Sequence, residues 1–181
     1  MKSTDMLVNE HTLILRALTV LGALADRAAR GDVVERAPVD QLVHFFKTFA
    51  DRFHHAKEEN ELFPFMESRG MPRHAGPIAV MLHEHEQGRA LVRGIADAAA
   101  GLDTAEGRGR FADVARAFEE LLSAHIMKEN EILFPMGARM MDDAADERLV
   151  EAFARREREV LGEGEEEKLR AGIDALERAD L

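Results

Sequence analysis

Cysteine is absent from this chain of 181 residues. That excludes disulfides, thiolate zinc sites, iron–sulfur ligation and thiol catalysis, and leaves nitrogen and oxygen as the donors for any metal. Tryptophan and tyrosine are absent too, so ten phenylalanines make up the aromatic complement and no aromatic radical relay is on offer. Long alternating runs of β-branched residues, the mark of strands, are missing. Positive charge is in short supply: 24 Lys and Arg face 35 Asp and Glu, a net charge of −11 with pI near 5.2. Such a balance argues against nucleic acid or an anionic membrane as partner. No uninterrupted apolar run reaches the ~18 residues of a membrane span. The opening Met1-Lys2-Ser3-Thr4-Asp5 has no signal-like apolar stretch behind it, and a cytoplasmic protein is expected.

What is present is 46% hydrophobic and 33% charged residues, a mixture suited to amphipathic helices, so the expected class is all-α. The length fits one domain with a real core. The chain also says one thing twice. His54-His55-Ala56-Lys57-Glu58-Glu59-Asn60-Glu61-Leu62-Phe63-Pro64 aligns without a gap on His125-Ile126-Met127-Lys128-Glu129-Asn130-Glu131-Ile132-Leu133-Phe134-Pro135. Each copy sets a histidine four residues before a glutamate, one turn apart on one helix face. A shorter repeat, Glu10-His11 and Glu84-His85, lies 74 residues apart, close to the 71 that separate the longer copies. One helical hairpin is used twice, and two hairpins folded face to face would converge four imidazoles and two carboxylates.

Taken in order, helix one is expected from Ser3 or Thr4 to Arg30, ended by Gly31, with Leu7, His11, Ile14, Leu18, Leu21 and Ala25 as its seam. Helix two starts near Pro38 and turns Val39, Leu42, Phe46, Phe49 and Phe53 inward. Two pairs compete on it, His54/Glu58 and His55/Glu59. His54 follows Val43, Phe46 and Ala50, whereas His55 follows Thr48, Asp51 and Arg52, so apolar approach and repeat both select His54. Pro64 and Pro135 each predict a kink just beyond their pair. After a loop over Glu67 to Pro77, helix three spans Ile78 to Ala100, with His85 inward and His83 at the surface or just behind the ligands. Helix four ends near Met140, and its inward line is Phe111, Val114, Phe118, Leu121, His125, Glu129 and Ile132. Residues 1–141 thus predict an antiparallel up-down four-helix bundle. Residues 142–181 predict a charged helical hairpin, Asp142 to Val160 and Glu163 to Ala179, packed on its outside.

The candidate metal ligands are His11, His54, Glu58, His85, His125 and Glu129. Two ions suit this set better than one, because each half gives two imidazoles and a carboxylate able to bridge. Two glutamates with a bridging oxo or hydroxo group would offset most of the charge of two divalent ions. Imidazole with carboxylate and incomplete coordination suits iron, with manganese as the alternative. Zinc accepts these ligands, although structural zinc takes four of them and six are offered. Without metal, the same groups would have to satisfy one another by hydrogen bonds.

Over residues 5 to 140 these motifs resemble the haemerythrin-like, or HHE cation-binding, domains. The resemblance rests on Glu10-His11, His54-x-x-x-Glu58 with Leu62-Phe63-Pro64, Glu84-His85, and His125-x-x-x-Glu129 with Leu133-Phe134-Pro135. It implies a non-haem di-iron centre with both glutamates bridging, and a protein that binds or senses O2 or NO. It equally allows a redox enzyme that decomposes peroxide or oxidises Fe(II), an iron store, or a protein of iron–sulfur cluster repair. Two departures stand out. Oxygen carriers of the family have five histidines and a bridging aspartate, so His55 or His83 could be a fifth here only in a distorted helix. Repair members carry a cysteine-bearing N-terminal segment, and this chain has no cysteine.

Overall fold

The computed structural model describes residues 1–179, so Asp180 and Leu181, the end of the expected 142–181 segment, lie outside the described residues. Helix α1 is Lys2–Ala29. Helix α2 runs without a break over residues 36–68, and α3 is Gly76–Ala98, continued by a 3-10 turn at Ala99–Gly101. Helix α4 covers residues 105–140, α5 is Asp143–Val160 and α6 is Glu165–Arg178. No strand occurs among the described residues. Helices α1 to α4 form the up-down-up-down bundle that the sequence predicts, with α4 packed between α1 and α3.

Local chemistry fixes the ends of these helices. Gly31, at φ 84°, takes the left-handed position after α1. The Thr104 hydroxyl accepts the Gly107 N–H at 2.9 Å and caps α4, and the Asp142 carboxylate caps α5 by accepting from Ala145 at 2.7 Å. Gly107 is required on steric grounds, because a Cβ there would overlap the carbonyl of Gly101. The start of α1 is held from far along the chain. The buried Asp146 carboxylate accepts from the backbone N–H groups of Lys2 (2.9 Å) and Ser3 (3.0 Å) and from the Ser3 hydroxyl (2.6 Å). On length and composition α1 could cross a membrane; here its seam from Leu7 to Ala25 lies inside the bundle.

Helices α2 and α4 are not α-helical throughout. Glu58–Leu62 and Glu129–Leu133 are π turns, in which the N–H of Phe63 reaches the carbonyl of Glu58 and that of Phe134 the carbonyl of Glu129. Each precedes a proline that cannot donate to the carbonyl four residues back and whose ring crowds it, so the helix widens by one residue rather than breaking. The predicted kinks therefore appear as wide turns, and α2 continues to Ser68, past the expected loop start at Glu67. The extra residue shifts the buried face. Leu133 is buried and Ile132 is 53% exposed, which reverses the expected inward place of Ile132. Upstream, Leu122 is buried while Leu121 is only partly covered.

The core falls into two apolar clusters. One gathers Leu13 to Ala28 of α1 with Phe45, Phe46, Phe49, Phe53, Phe111, Phe118 and three residues of α6. The other gathers Leu7, Leu62, Phe63, Ile78, Met81, Leu133 and Phe134 with Phe153 of α5. Between them, at the level of His11, His85 and His125, lies a polar layer. Helix α5 closes the second cluster and α6 lies along α1 and α2, joined by Arg16 to Asp174 and Glu177.

Candidate metal centre

The polar layer holds all six predicted ligands. His11, His54, His85 and His125 are each 1% exposed, and Glu58 and Glu129 are fully buried. The histidines meet in pairs across the bundle. His11 Nε2 lies 2.9 Å from His54 Nε2, and His85 Nε2 lies 3.1 Å from His125 Nε2. Glu58 reaches towards His54 Nε2 (3.7 Å) and His85 Nε2 (3.4 Å). Glu129 reaches towards His11 Nε2 (3.2 Å), His125 Nε2 (3.3 Å) and His85 Nε2 (4.0 Å).

The outer nitrogens fix which way the inner ones face. His54 Nδ1 lies 2.8 Å from Glu10, His85 Nδ1 2.6 Å from Glu59, His125 Nδ1 3.0 Å from Glu84, and His11 Nδ1 2.8 Å from the Asn130 amide oxygen. Ionised carboxylates only accept, so Nδ1 carries the proton and Nε2 is left as a lone pair. The two outer carboxylates of the repeat are anchored in turn by Lys57, 2.5 Å from Glu10, and by Lys128, bonded to Glu84. The pairing crosses over: Glu10 orients His54 rather than its neighbour His11, and Glu84 orients His125. Those contacts were not read from the sequence, although the repeated Glu10/Glu84 and Lys57/Lys128 signalled them. Position 59/130 breaks the symmetry, with glutamate in one half and asparagine in the other.

A fifth histidine, His55, joins the layer. Phe46–His55 is a second wide stretch of α2, with no proline in it and no counterpart in the regular helix of α4. Its altered register brings His54 and His55 both inward, and so supplies the distorted helix on which a fifth histidine at His55 depends. His55 is 5% exposed and stacks on His85 with centroids 3.8 Å apart. Glu59, its expected partner, instead holds His85 and accepts from Arg89 at 2.7 Å. His83 is exposed, as expected.

Electrostatics separates these groups. Burial, reinforced by neighbouring imidazoles, holds His54 well below the ordinary histidine value and takes His55 down to about 3. Burial also lowers His85, against the pull of Glu59. For His125 burial is outweighed by Glu129 and Glu84, which raise it. Burial and the facing Glu129 push Glu58 well up, whereas Glu129, though buried, is held well down by His125 and His11. Burial would raise Glu59, but His85 and Arg89 draw it to about 2.

This donor set fits a metal pair. The opposed Nε2 atoms about 3 Å apart need a cation near both, either a proton, as on the raised His125, or a metal ion, and all four oxygens of Glu58 and Glu129 lack a hydrogen-bond partner among the described residues. Two overlapping groups present one donor atom per residue within 4.8 Å of one another: His55, Glu58, His85 and His125, and His11, His54, Glu58 and Glu129. Glu58 belongs to both, the place of a bridging carboxylate. Neutral imidazoles on carboxylate or amide supports are the form that binds metal.

Comparison with known proteins gives a matching family model, described as the Hemerythrin HHE cation binding domain, over residues 2–137. The iron-sulfur cluster repair protein DnrN of Neisseria gonorrhoeae is 36% identical over 94 residues, which cover 49% of this chain and 57% of that protein. The chain thus matches little more than half the length of that relative. No solved structure matches significantly.

Proposed function

We propose, from the premise that this chain belongs to the haemerythrin HHE cation-binding family, that it is a non-haem di-iron protein binding O2 or NO reversibly in a cytoplasmic setting. The chain is a metal-binding helical protein; the identity of the metals, their oxo or hydroxo bridge and the gas ligand are the proposal. The carrying observation is the pair of opposed Nε2 contacts flanking Glu58 and Glu129, whose oxygens are buried without partners.

His11 and His54 would hold one ion and His55, His85 and His125 the other, with Glu58 and Glu129 between them. When bound, iron supplies a ferrous–ferric couple and an open coordination position for a diatomic ligand. The protein supplies the rest. Glu10, Glu59, Glu84 and Asn130 fix the imidazole rings, so that ligand binding meets a preorganised set. Phe134 stacks on His11 and Phe63 on His85, which covers the centre with hydrocarbon on those two sides.

The test is anaerobic titration of the fully reduced, iron-loaded protein with O2 and with NO, followed by visible absorption. Reversible band changes on gas admission and removal support the reading; irreversible oxidation by O2, with no NO adduct, overturns it. A second reading, iron delivery in repair of iron–sulfur clusters, is favoured by the printed function of the Neisseria relative. Transfer of labelled iron to a damaged cluster protein would distinguish it.

A further inference from the structure

A cavity of about 330 Å³ opens beside the centre, between α2, α3 and α4. Six of its lining residues, Phe46, Lys47, Ala50, Asp51, Arg52 and His55, come from the wide stretch of α2 that the other half of the molecule lacks. The cavity is therefore a product of the same distortion that turns His55 inward, and nothing in the bundle's repeat demands it.

Its volume is in the range of small-ligand sites, and its walls are mainly apolar, with Phe46, Val92, Phe118 and Leu122 as the larger surfaces. Two features give it chemistry. At its buried end His55 Nδ1 has no hydrogen-bond partner among the described residues, and Asp51 is 3.7 Å away, too far for one. Around its rim stand four cations, Lys47, Arg52, Arg89 and Arg93, against the single acid Asp51, on a chain whose net charge is −11. Arg89 is taken up by Asp51, Glu59 and Glu86. Lys47, Arg52 and Arg93 are exposed and pair with no carboxylate among the described residues.

We propose that this cavity binds a small organic anion with an apolar body, of the class of aryl-alkyl carboxylates. The body lies against Phe46, Val92, Phe118 and Leu122, and the charge lies at the mouth between Arg52 and Arg93. Hydrocarbon burial gives the affinity, and the unpaired guanidinium groups select a carboxylate over an alcohol of the same shape. Gly88 in the wall leaves the room: a Cβ there would first meet Phe118 at 3.7 Å, so a larger side chain would grow into the cavity.

The experiment is calorimetric titration of the full chain, as purified and after metal removal, with 4-phenylbutyrate and with its neutral analogue 4-phenylbutanol. Expected are saturable one-to-one binding of the carboxylate and at least tenfold weaker binding of the alcohol. The exposed pair Arg52→Glu and Arg93→Glu should weaken the carboxylate at least tenfold with helix content unchanged. Gly88→Leu should abolish binding, and the His55 ring ¹⁵N resonances should shift on titration. Should Gly88→Leu not fold, the charge-reversed pair decides. No saturation up to about 1 mM, equal binding of the alcohol, or insensitivity to the Arg52 and Arg93 changes overturns the proposal. Because binding is also measured without metal, its failure is separate from failure of the di-iron reading.

Discussion

The His55 ring lies flat on the His85 ring, planes 13° apart and centroids 3.8 Å apart, although His55 follows the partly exposed Thr48 and Asp51 and the exposed Arg52 along α2. The stacking places a fifth imidazole beside Glu58 and His125. His55→Ala should remove one of the two metals or weaken it strongly, while His83→Ala, on the exposed side of α3, should leave metal content unchanged. Metal analysis of the two purified variants checks this, and equal content in both would return His55 to a packing role.

The carboxylates behind the imidazoles give a graded outcome. Glu10→Ala and Glu84→Ala should each lower metal affinity by about 10–100-fold, measured by competition with a chelator of known affinity. Lys57 acts differently, because it is 1% exposed, bonded to Glu10 and set over the Phe53 ring at 3.5 Å. Lys57→Met strands a buried carboxylate and should cost about 3 kcal/mol in urea unfolding of the metal-free protein.

Asp146 ties α5 to the first turn of α1, and Asp146→Ala should cost about 1–2 kcal/mol, as for loss of a helix cap. Burial opposes the charge on Asp146, but the Ser3 and Lys2 donors hold its carboxyl below the ordinary value. A depressed carboxyl contributes stability that is present above the unfolded value, about 3.9, and is lost as pH falls through the folded one. The difference between wild type and Asp146→Ala, measured by urea unfolding, should therefore be full at pH 7 and shrink below about pH 4. A difference constant down to pH 2 would exclude the carboxylate as its source.

The wide turn in α4 makes a prediction that a regular helix would reverse. Ile132→Ser, at a side chain 53% exposed, should change stability by less than about 0.5 kcal/mol. Leu133→Ala, at a side chain 1% exposed, should cost about 2–5 kcal/mol. Thermal unfolding of the two variants reads the register directly.

The bundle was legible because its seams keep a helical period: every predicted inward residue of α1, from Leu7 to Ala25, is buried. The six proposed ligands were legible because the repeat states them twice, and the structure brings all of them into one layer. Much of what escaped follows from one physical cause. Periodicity arguments assume a constant turn, and a π turn adds a residue, which moved burial from Ile132 to Leu133 and turned His55 towards His85. Pro64 and Pro135 announced two of these turns, but no residue type announces Phe46–His55, and with it went the cavity. The long-range cap by Asp146 was equally silent, since it joins positions 143 residues apart.

Metal content per chain, measured with the visible spectrum of the same sample through anaerobic reduction and return of oxygen, tests the central claim most directly. The account predicts two irons per chain, bands that bleach and return, and loss of iron in both Glu58→Ala and Glu129→Ala. One zinc, or no metal, with spectra unchanged by reduction and both variants unaffected, would contradict it.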